Sequence, residues 1–125
     1  MVTDPEPLSV RRAAGLASLL AGVLTVGCGP GPLYYWGHYE PLVYEMYASP
    51  GKALPAEQID ELTEDIATAQ AKGRPVPPGV HAHLGYMYLQ QGNAAAAREQ
   101  FEIEKGLFPE STVFMDRLLS RMAAQ

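Results

Sequence analysis

With one cysteine among 125 residues, the chain cannot form an internal disulfide or a cysteine-based zinc site. Cation-rich surface is scarce as well: nine Lys and Arg stand against 14 Asp and Glu, a formal charge of −5. That balance argues against nucleic-acid binding, which uses a basic face. Phosphate-binding loops are missing, because Gly29, Gly31 and Gly37 are separated by prolines and aromatics. No serine has the context of a hydrolase elbow. Of the three histidines, His81 and His83 are two positions apart, so on a helix they point roughly 200° from each other and cannot share a metal. Glu99, Glu102 and Glu104 have no histidine at ligand spacing. His38 stands among aromatics, as a packing or interface residue does. The expectation is a non-enzyme with no metal and no cofactor. The length allows one domain.

What is there begins with the lone cysteine. Arg11 and Arg12 precede an apolar run, Ala13 to Gly27, and Cys28 comes directly after it. Positive charge, apolar stretch, then small residues is the layout of a secretory signal. A cysteine immediately afterwards resembles the lipoprotein variant, in which the thiol is acylated and the chain is cut before it. Gly27 and Val26 suit that pattern, while Thr25 departs from the aliphatic residue usual at its position. An uncleaved anchor is the second reading, although about 15 residues fall short of the roughly 20 that cross a bilayer. A buried helix is the third, weakened by Gly15, Gly22 and Gly27. The expected division is a signal over 1–27, a Gly/Pro tether over 28–33 and a helical domain over 34–125. With Gly29 in place of aspartate after Cys28, the sorting rule of enterobacterial lipoproteins implies the outer membrane, facing the periplasm.

Aromatic residues are concentrated behind the tether. Tyr34, Tyr35, Trp36, Tyr39, Tyr44 and Tyr47 fall within 33–47, together with His38. Pro41 suits the first turn of a helix running to about Ala48. The aromatics either cover one end of a helical bundle or form an exposed patch for a partner. A longer helix is expected over 56–72, with Ile59, Leu62, Ile66 and Ala69 as its apolar stripe. Glu57, Asp60, Glu61, Glu64 and Asp65 are expected on its solvated face, and Lys72 and Gly73 end it. Pro75, Pro77, Pro78 and Gly79 make a rigid connector.

Residues 78–111 resemble a tetratricopeptide repeat (TPR), a helix–turn–helix unit of about 34 residues. Leu84, Gly85, Tyr88, Ala97, Phe101 and Pro109 stand at that family's spacing, and Gly92-Asn93 makes the turn. The small Gly85 and Ala97 let the helices cross closely, and the larger side chains fill the space between them. His81 replaces the usual bulky aromatic, and Glu104 the usual small residue, which predicts an abnormal junction with the next stretch of chain. A capping helix is expected after Ser111 as N-cap, with Phe114, Leu118 and Met122 turned inward and Met115 and Leu119 beside them. The fold class expected is all-α: a short TPR-like superhelix with a C-terminal capping helix.

Over residues 33–120 the chain is similar to a small family of uncharacterised bacterial lipoproteins known only as a domain of unknown function. The stretches Leu33–Glu40, Pro77–Gly79, Leu84–Asn93 and Phe108–Ser111, with Phe114–Leu118, carry the resemblance. It implies envelope-protein partners, among them a curli-assembly-like outer-membrane lipoprotein and another small lipoprotein, and it implies no catalytic activity. The function expected is a lipid-anchored periplasmic adaptor or scaffold. Its contact surface would lie around Tyr86 and Gln90, completed by Tyr34, Tyr35, Trp36, His38 and Tyr39. The alternative is an envelope small-ligand binder or enzyme using segment 34–47.

Overall fold

The computed structural model describes residues 31–124. The expected signal over 1–27 and the lipidation residue Cys28 lie outside them. Among the described residues the fold is all-α, and no helix is long and apolar enough to cross a membrane. Five helices succeed one another: α1 Tyr39–Ala48, α2 Pro55–Ala71, α3 Val80–Gln90, α4 Ala94–Leu107 and, after a single 3-10 turn Pro109–Ser111, α5 Thr112–Ala123.

Local sequence explains most of the boundaries. Pro41 lies in the first turn of α1 and Pro55 opens α2, where a missing N–H leaves no helical bond unmade. Asn93 caps α4, its side-chain oxygen accepting from the Ala96 N–H at 3.1 Å. Pro109 stops α4 as expected. Ser111 behaves differently from the expectation: its hydroxyl donates back to the Phe108 carbonyl at 2.7 Å, so it closes the 3-10 turn and caps nothing.

The core has two parts. In the first, Leu42 of α1, Ile59, Leu62 and Ala69 of α2, Val76 of the connector, and Val80, Leu84 and Met87 of α3 pack together. In the second, Ala97 and Phe101 of α4 meet Met115 and Leu119 of α5. Tyr88 packs against both parts. Gly85 is the point of closest helix approach: a Cβ there would stand 2.6 Å from Phe101 Cε1 and 3.1 Å from the Ala97 carbonyl. The part from Pro32 onward is one compact unit with this core of its own, so it is built to fold by itself.

Two expected faces are rotated. On α5 the inward residues are Met115 and Leu119, flanked by Leu118 and Met122, and Phe114 is 60 % exposed. Phe114 lies one residue, about 100° of helix, away from Met115. On α2, Asp65 leaves the solvated face and is only 4 % exposed. Gln58 is buried as well, while Ile66 is only partly buried.

Candidate functional site

The segment before α1 is fastened along the connector between α2 and α3. Tyr35 N–H donates to the Pro75 carbonyl at 2.8 Å. The Arg74 guanidinium donates through Nη2 to the Pro32 carbonyl and, at 3.3 Å, to the Tyr34 carbonyl. Lys72 Nζ sits 4.5 Å over the Tyr35 ring, a cation–π contact. The aromatic rings then form a chain: Phe108 meets Tyr34 edge-on at 6.5 Å, Tyr34 meets Trp36 edge-on at 6.3 Å, and Trp36 stacks on Tyr39 at 6.5 Å.

A buried carboxylate, Asp65, holds the end of this strip. Asp65 accepts the His38 N–H at 2.6 Å through Oδ2 and faces His38 Nδ1 at 3.1 Å through Oδ1. Glu61 Oε2 lies 3.2 Å from the same ring nitrogen. Gly37 has φ +47°, and a Cβ there would run into the Asp65 carboxylate, so both backbone and space require glycine. Glu104 of α4 accepts the Gly79 N–H at 2.7 Å and the Ala82 N–H at 3.3 Å. It therefore caps α3 from another helix, with its charge at the positive end of the dipole. The unusual Glu104, expected to mark the junction with the chain that follows, bonds instead to the preceding helix, where the start of α3 needs a carboxylate.

Polar groups from α2 and α4 flank α3. His83 Nε2 meets Gln58 Oε1 at 2.6 Å, and burial holds the His83 pKa below its usual value. Gln58 Nε2 is buried with no partner among the described residues. The Tyr39 ring stands edge-on to His83 at 5.9 Å, and its hydroxyl lies against Gly79. Burial, and secondarily the Glu104 charge, raise the Tyr39 pKa. His81 is buried and bonds Gln100 Oε1 through Nδ1 at 2.8 Å, so the two histidines do reach in different directions. Among the described residues no group of three His, Cys, Asp or Glu is placed to hold a metal.

Two clefts open beside the strip. One, of about 420 Å³, lies between Tyr34, the end of α2, the connector and the end of α4, with Arg74 and His81 in its lining. The other, of about 400 Å³, lies along α1 between His38, Tyr44 and Glu61. Of the residues expected to bind a partner, Tyr34, Tyr35, Trp36, His38 and Tyr39 are brought together in the strip. Tyr35 and Tyr39 pack on the first core, and Trp36 is more open. Tyr86 and Gln90 are exposed on α3 and line neither cleft. Asp65, Gln58 and Arg74 were not foreseen as site residues. The only signal for Asp65 was its phase, three residues after the core residue Leu62.

Fold and strip together define an all-α domain with an aromatic segment fastened across it. The chain belongs to the family described as a domain of unknown function (DUF4810), whose model matches residues 33–118. That span runs from Leu33, just ahead of the aromatic strip, into α5. No curated protein and no solved structure matches the chain.

Proposed function

We propose that the protein is a lipid-anchored adaptor of the bacterial cell envelope. It holds a protein partner in the periplasm against a TPR-like helical surface, tethered through Cys28 to the outer membrane. The observation that carries this reading is the way the helices stack. Each of α2 to α5 packs chiefly on its neighbour in the chain, as in repeat proteins, which offer extended faces to partners. Tyr86, in the middle of α3, is 46 % exposed on such a face, and tyrosine is favoured at interface centres. The α3–α4 pair supports the TPR-like reading: Gly85 lies against Phe101 and Ala97, and Tyr88 packs beside them. The partners this reading favours are envelope proteins, including the curli-assembly-like lipoprotein and the small lipoprotein implied by the family resemblance.

Fractionation and gentle solubilisation test the proposal. The wild type is expected in the outer-membrane fraction with an acylated Cys28 by intact mass, in a complex of defined composition. Cys28→Ser should move it out of that fraction. A solitary, unacylated monomer from wild-type cells would overturn the reading.

A further inference from the structure

The cleft beside Tyr34 combines an apolar wall with the positive charge of Arg74. Leu33, Tyr34, Ile66, Val76, Leu107 and Phe108 supply the wall. Arg74 spends Nη2 on two backbone carbonyls, and among the described residues it makes no ion pair with a carboxylate. Its other N–H donors remain for a ligand, and a guanidinium matches a carboxylate in shape and charge.

We propose that this cleft binds a long-chain carboxylate, the alkyl chain lying on the apolar wall and the head group on Arg74. The volume, about 420 Å³, is that of a small-molecule site. The polar inventory favours this occupant over a peptide. A peptide brings a backbone donor and acceptor with every residue, and each needs a partner once buried. Besides Arg74, the side chains here that can hydrogen-bond in earnest are Gln70, His81 and the Tyr34 hydroxyl, and His81 already gives Nδ1 to Gln100. No strand edge exists among the described residues to pair with an extended chain. An alkyl carboxylate asks for one polar anchor only.

The site is independent of the adaptor reading, so the two can fail separately. The test is calorimetric titration of residues 32–125, without detergent, with decanoate, dodecanoate and tetradecanoate below their micelle concentrations. Affinity should rise by up to about fourfold per methylene until the wall is covered. Dodecanoate should bind about tenfold tighter than dodecanol, the difference being the charged head group. Arg74→Gln should close that gap and Arg74→Lys should keep most of it. Because Arg74 also holds the strip, a second variant guards the conclusion. Leu107 is 54 % exposed on the wall, so Leu107→Glu should fold normally and repel dodecanoate. Equal binding of alcohol and carboxylate, no dependence on chain length, or binding of Leu-terminated peptides without binding of dodecanoate would each overturn the proposal.

Discussion

At the joints ahead of α1 and α3, buried carboxylates grip backbone N–H groups; where α3 crosses α4, a phenylalanine ring fills the space opposite a glycine. Asp65 and Glu104 each act across more than 20 residues of sequence, on His38 and Gly79. Phe101, fully buried, needs only the small Gly85 and Ala97. The difference teaches where fragility lies. Apolar packing loses stability in proportion to the volume removed, at any pH. A polar grip fails when one group is lost or changes charge, since its partner is then left buried and unsatisfied.

The largest expected break is on the apolar side. Phe101→Ala should cost about 3–5 kcal/mol by urea unfolding, enough to unfold much of a small domain. On the polar side, Asp65→Ala should cost about 1–3 kcal/mol by orphaning the His38 N–H. It should also release the strip, visible as a red shift of Trp36 fluorescence. Glu104→Gln keeps an acceptor for Gly79 and removes the charge, so about 1 kcal/mol is expected. In ultraviolet titration it should bring Tyr39 part of the way back toward 10.0, and only part, because burial is the larger cause.

The pH dependence has a definite sign. Burial lowers the His83 pKa in the fold, whereas the unfolded chain titrates near 6.5. The unfolded state thus binds the proton first, and stability falls as pH drops through 6.5 toward the folded value. The slope is at most about 1.4 kcal/mol per pH unit, and His83→Gln should flatten it. The smallest effect belongs to Lys105, whose exposed ammonium meets Asp116 at 2.6 Å and Glu102 at 3.2 Å. Lys105→Ala should barely move the melting temperature, and moderate salt should erase what it does.

The same contrast decides how much was legible in the sequence. Helix positions could be read from proline, glycine and the three-four spacing, and the α3–α4 contact from Gly85, Ala97 and Phe101. Phe114 misled because an apolar residue beside an apolar stripe does not say which of the two faces inward, and α5 turns Met115 in. Asp65 read as one more carboxylate in an acidic run, since its partner lies 27 residues away and hydrogen bonds leave no periodicity. Glu104 was visible as a departure, and its purpose as a cap for α3 needed three dimensions. Arg74 gave no signal, because its partners are backbone carbonyls, which every residue has.

Adaptor function is tested most directly by a photo-crosslinking residue placed at Tyr86 in the full chain in living cells, with the same residue at Arg117 on the exposed side of α5 as control. The account predicts one discrete adduct from position 86 to an envelope protein identifiable by mass, and none from 117. Position 86 giving no adduct while the protein remains folded and membrane-bound would contradict it.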